Sequence, residues 1–146
     1  MTQEITSGKQ AALSVIHKCL VATIQGDLYD DLLLRTRNAI LNQIHASSIH
    51  GVIFDMSSVG MLDSFMFNHL AETARMTMLL GAKSVFVAFQ SGTVSALIDV
   101  DVDLTDITSF RTMEEGISYL LTNFGPKDPG TDREESDSAI LDNEVG

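Results

Sequence analysis

The stretch GVIFDMSSVGMLDSFMFNHLAETARMTMLL, residues Gly51 to Leu80, decides how the whole chain reads. Its opening run, Val52-Ile53-Phe54, is apolar, β-prone and too short for a helix, so it reads as a buried strand. A polar bend follows, Asp55-Met56-Ser57-Ser58-Val59-Gly60. From Asp63-Ser64 onward the pattern turns helical, with Phe67, Leu70, Ala71, Ala74 and Met78 on one face. Asp and Ser both favour helix starts, where a side-chain oxygen accepts from an N–H that the first turn leaves unpaired. One hydroxyl, Ser64, is thereby set at a helix mouth beside the Asp63 carboxylate.

Upstream, Leu13-Ser14-Val15-Ile16 and Leu20-Val21-Ala22-Thr23-Ile24 flank His17-Lys18-Cys19 and predict an antiparallel hairpin. Gln25-Gly26-Asp27 is turn material. From Leu28 to about Ile44 the residues Leu33, Ile40 and Ile44, with Leu34 and Leu41 beside them, trace one helical stripe. Arg37 falls within that stripe, so its stem is expected to carry the charge outward to water.

Downstream, Gly81 is placed to end the central helix in the left-handed conformation. Ser84 to Phe89 is a second buried-strand run, and Thr93 to about Val100 a short helix. Asp101 to Thr108 alternates polar and apolar, which predicts a short exposed strand. Thr112 with Glu115 has capping-box spacing ahead of a last helix carrying Met113, Ile117, Leu120, Leu121 and Phe124. The order ββ-α-β-α-β-α-β-α predicts an α/β fold: a mostly parallel mixed sheet with an N-terminal hairpin and four helices. Whether the helices cover one face or both is left open by the pattern.

At 146 residues the chain is expected to form one domain with a real core. Residues 1–11 read as a flexible N-terminus, 12–125 as the domain and 126–146 as a disordered acidic tail. That tail begins at the two prolines, Pro126 and Pro129, and holds seven acids against Lys127 and Arg133. Net charge is −11, which argues against nucleic acid or an anionic membrane as partner. No apolar run approaches a membrane span, the first residues carry no signal-peptide core, and the single cysteine, Cys19, suits a reducing compartment. A cytoplasmic protein is expected.

Catalytic patterns are missing. Ser64 has no G-x-S-x-G around it, His17, His45, His50 and His69 show no metal spacing, and phosphate-cradling glycine loops are absent. The expectation is therefore a non-enzyme with no cofactor. Five of the seven methionines fall in the central stretch. Met76 and Met78 read as core. Met56, Met61 and Met66 flank Ser64, and with Asp63 they are candidates for a partner-binding surface, since Met suits an interface that repacks.

Several segments together resemble a known family. Gln25-Gly26-Asp27-Leu28, Gly51 to Ser57, Met61-Leu62-Asp63-Ser64-Phe65 and Leu80-Gly81-Ala82-Lys83 are similar to the STAS domain of anti-sigma factor antagonists. Within that family the likeness is to the RsbS type, the single-domain scaffold of the bacterial stressosome, over residues 12–124. The most specific motif is Val59-Gly60-Met61-Leu62-Asp63-Ser64-Phe65.

The resemblance implies that Ser64 is phosphorylated by an RsbT-type serine kinase, held by the unmodified scaffold and released after modification. Ser57 and Ser58, in the bend, are weaker candidates, and the alternative role for Ser64 is a plain helix cap. Implied partners are RsbR-type STAS paralogues, that kinase, and further copies of the chain in a large assembly. A free SpoIIAA-type antagonist and a STAS accessory subunit of a transport system are the competing readings.

Overall fold

The computed structural model describes residues 2–5, 12–25, 30–99 and 102–125. In chain order the elements are β1 (Thr2–Ile5), β2 (Ala12–Ile16), β3 (Cys19–Thr23), α1 (Asp30–Ser47), β4 (Gly51–Asp55), α2 (Ser64–Leu79), β5 (Lys83–Val87), α3 (Ser91–Asp99), β6 (Ser109–Phe110) and α4 (Met113–Phe124). The strands lie side by side in sequence order, β1 to β6. Pairing is antiparallel from β1 to β3 and parallel from β3 to β6.

Side chains alternate between the faces of a strand, and here each face meets helices. Leu20, Ala22, Val52, Phe54 and Phe86 pack with α1, α2 and α3 residues such as Leu33, Ile40, Phe67, Leu70 and Leu97. Cys19, Val21, Ile53, Val85 and Val87 pack instead with Leu120 of α4. Both faces are thus covered, which is why the central strands read as unbroken apolar runs rather than alternating ones. Close approach holds α4 down: a Cβ on Gly116 would stand 2.8 Å from Val87 Cγ1, and one on Gly51 2.8 Å from a Leu120 methyl.

The expected hairpin is present, and its turn is His17-Lys18, both with positive φ (52° and 66°). Two left-handed residues match the twist of a two-residue hairpin. Helix α2 ends as expected: Gly81 has φ 86°, its N–H reaches Met78 O and the Ala82 N–H reaches Thr77 O, each at 3.0 Å. Thr112 caps α4, its hydroxyl accepting from the Glu115 N–H at 3.2 Å.

Four expectations are corrected. Residues 2–5, expected to be loose, form the edge strand β1. Residues 102–108 form turns rather than a strand, because Asp103 Oδ1 accepts from both the N–H (3.0 Å) and the hydroxyl (2.7 Å) of Thr105. The same two bonds hold the Asp103 carboxyl below its ordinary pKa. Met78, expected in the core, is 51% exposed in the last turn of α2, at the rim of a surface cavity it shares with Lys83 and Ser84.

Arg37 does not run out to water. Its side chain is 12% exposed, and it donates to Thr73 Oγ1 at 3.0 Å and to the His69 carbonyl at 3.3 Å, stitching α1 to α2. The Gly26-Asp27 turn, Leu28, residues 6–11 and the segment 126–146 lie outside the described residues.

Candidate functional site

The site is built where β4 gives way to α2. The ladder runs one residue past the strand, with the Met56 N–H donating to Val87 O at 3.0 Å. Asp55 Oδ1 then accepts the Ser57 N–H at 3.0 Å, and Val59 N–H closes a turn on Met56 O at 3.0 Å. Three apolar residues pin the segment from beneath: Met56 and Val59 are fully buried and Leu62 nearly so. The residues between them, Ser57, Ser58, Gly60 and Met61, face outward. Alternate anchoring of this kind gives a bend with a defined outer surface.

Asp63 is the helix cap. Its backbone is extended (φ −82°, ψ 167°) and its Oδ1 accepts the Met66 N–H at 2.7 Å. Ser64 is therefore the first residue of α2 and not its cap. Its side chain is exposed, and its hydroxyl has no hydrogen-bond partner among the described residues. The plain-cap alternative for Ser64 is removed by this geometry, since the neighbouring carboxylate already does that work. With no acid in its first turn, α2 also presents the positive end of its dipole at this hydroxyl.

The methionine reading needs correction. Met61 is 86% exposed, but Met56 is fully buried and Met66 is 7% exposed, both inside the larger core cluster. Met56 points inward because it lies between a strand end and a tight turn, and Met66 because it falls on the stripe that α2 turns toward the sheet. Neither can form an outer surface. The exposed apolar neighbours of Ser64 in sequence are Met61 and Phe65, the latter 54% exposed. Phe65 was legible as a residue off the helical stripe, next to the hydroxyl. Ser57 and Ser58 are both exposed in the bend.

Two polar side chains outside this stretch also reach the bend. The Gln90 amide donates to Ser57 O at 3.1 Å, and the Thr93 hydroxyl donates to the carbonyls of Val59 (3.2 Å) and Gly60 (3.1 Å). No sequence spacing signals either. No group of three or more potential metal ligands occurs among the described residues, and at the far end of the sheet burial raises the Cys19 thiol pKa. No helix among the described residues is long and apolar enough to cross a membrane.

Comparison with known proteins bears out the fold. The profile of the STAS domain family matches residues 10–115. A curated relative, the RsbT co-antagonist protein RsbRA of Bacillus subtilis, is 19% identical over 109 residues; the match takes in 75% of this chain and 40% of that protein's length. RsbS of Moorella thermoacetica superposes with a TM-score of 0.67 at 19% identity, covering 78% of this chain and 97% of that one. A chain from the molecular architecture of the stressosome gives 0.66 at 22% identity, covering 75% and 96%.

Proposed function

The chain belongs to the STAS domain family, and from that premise we propose that it is a non-enzymatic antagonist and scaffold of the stressosome type, switched by phosphorylation of Ser64. The observation that carries the reading is the division of labour at the start of α2. Asp63 caps the helix, and the Ser64 hydroxyl is left exposed, with no hydrogen-bond partner among the described residues, between exposed Met61 and Phe65. In the unmodified state this small apolar patch docks an RsbT-type serine kinase.

Transfer of a phosphoryl group adds about −1.5 to −2 of charge. The unpaired N–H groups of the first turn accommodate it, so the fold survives. The contact does not survive, because a dianion beside the Asp63 carboxylate replaces a neutral hydroxyl that a partner had covered. Ser57 and Ser58, also exposed, are secondary candidates for modification. Partners beyond the kinase are RsbR-type paralogues and further copies of the chain, in a cytoplasmic assembly. Support for the assembly comes from the likeness of fold to a chain of the stressosome.

The test is capture of the cognate serine kinase on immobilised wild type and on Ser64→Asp. Capture by the wild type and at least about tenfold weaker capture by the variant is expected, since close charge contacts cost several kcal/mol when unpaired. Equal capture by both would overturn the switch.

A further inference from the structure

The bend ahead of Ser64 is held from a second element. Thr93, 2% exposed at the third position of α3, shares its hydroxyl proton between Val59 O at 3.2 Å and Gly60 O at 3.1 Å. Gln90, just before α3, donates from Nε2 to Ser57 O at 3.1 Å. Its Oε1 lies along the same segment, 3.8 Å from where a Cβ on Gly60 would stand.

Three carbonyls of the segment 57–60 therefore find their donors in two side chains of one neighbouring segment, residues 90–93. The chain reaches those side chains through Ala88, whose φ of 63° is left-handed, and whose N–H is fixed to Phe110 O at 3.1 Å. A non-glycine residue in that region is strained and persists only where its surroundings hold it there. Packing alone does not call for this arrangement, since a valine at position 93 would fill the same space. The hydroxyl is what the position adds.

We infer that Thr93 and Gln90 are positioning residues that fix the bend 57–63 and so set how the Ser64 hydroxyl is presented to a modifying kinase; this rests on the proposed switch at Ser64. Neither side chain touches the transferred group. Without them the three carbonyls turn to water and the bend samples other conformations. A kinase must then order the segment as it binds, which weakens binding of the substrate and leaves the transfer step intact. The effect belongs in KM and not in kcat.

The experiment compares wild type with Thr93→Val, Thr93→Ser and Gln90→Ala in the full chain. Amide exchange over residues 57–63 is read without any kinase, and KM and kcat for Ser64 are read with the cognate serine kinase. For Thr93→Val, exchange in the bend is expected to rise about tenfold, with KM up about tenfold and kcat within about twofold, as loss of a buried donor implies. Thr93→Ser keeps the hydroxyl and restores both. Gln90 is exposed, and Gln90→Ala moves both readouts the same way by about threefold, the weight of one partly solvated bond.

A folded Thr93→Val with wild-type exchange and KM overturns the inference, as does failure of Thr93→Ser to rescue. Should Thr93→Val not fold, Gln90→Ala decides by the same two readouts. If wild-type Ser64 takes no phosphate, the switch itself is wrong and the presentation role falls with it. The exchange rates still report separately whether the clamp holds the bend.

Discussion

Asp63 and Ser64 are adjacent, both suit a helix start, and only one of them is used there. Sequence spacing placed the pair at the mouth of α2, because the apolar stripe behind them begins in the right phase. Which of the two accepts the Met66 N–H depends on a backbone angle that composition does not encode, and Asp63 takes it at 2.7 Å. The methionines show the same limit. Met56, Met61 and Met66 flank one hydroxyl in sequence, but burial is decided by the turn at Val59 and by helix phase, so that only Met61 is outside. A second pair works at this scale, far from the hydroxyl. Arg75 donates to both carboxylate oxygens of Asp106, at 2.6 and 3.2 Å, and this pairing holds the Asp106 carboxyl below its ordinary pKa near 3.8. A carboxyl lowered in the folded state stabilises above its ordinary pKa and loses that contribution as pH falls through the lowered value. The melting-temperature gap between wild type and Asp106→Asn should therefore be constant from neutral pH to about 5 and close below about 4. A gap that widens in acid would contradict the pairing. Both side chains are about half exposed (51% and 48%), so the gap itself should be small.

Helices and strands were legible wherever a period was clean. The stripe of α1, the capped start of α4 and the glycine that ends α2 all follow from local rules. What local rules could not supply is which element satisfies a polar group across a seam. Arg37 looked like a residue that must reach water, but Thr73 and the His69 carbonyl on α2 receive its protons, with Glu72 3.7 Å away. The stretch 102–108 looked like a strand because its residues alternate, whereas Asp103 folds it into a turn around Thr105. Arg37→Ala removes a part-buried, charge-assisted link between α1 and α2. It should lower unfolding free energy by about 2 kcal/mol in urea titration, with an unchanged m-value. A loss below about 0.5 kcal/mol would show that water replaces the link at no cost.

At the scale of the molecule, the sheet separates two tasks. Helices α1, α2 and α3 share one core on the face that carries Ser64, and among the described residues α4 is the helix that covers the other. Sequence order predicted the mixed sheet but not this three-to-one division, because a parallel strand buried on both faces reads the same whichever helix covers it. The start of α3 also brings Thr93, with Gln90 just before it, to the bend, a meeting of residues more than 30 positions apart. A scaffold reading sets the expected size: native mass measured by light scattering should exceed that of the 15.9 kDa chain many times over in the presence of its paralogues. A monomer or dimer under those conditions would favour a free antagonist.

The measurement that bears most directly on the switch is phosphosite mapping by mass spectrometry, after the full chain is incubated with Mg-ATP and extract from its source, beside a Ser64→Ala control. Phosphate on Ser64 in the wild type, and none between Asp63 and Phe65 in the control, is the predicted result. An unmodified Ser64, in extract whose serine kinase is shown to be active, would contradict it.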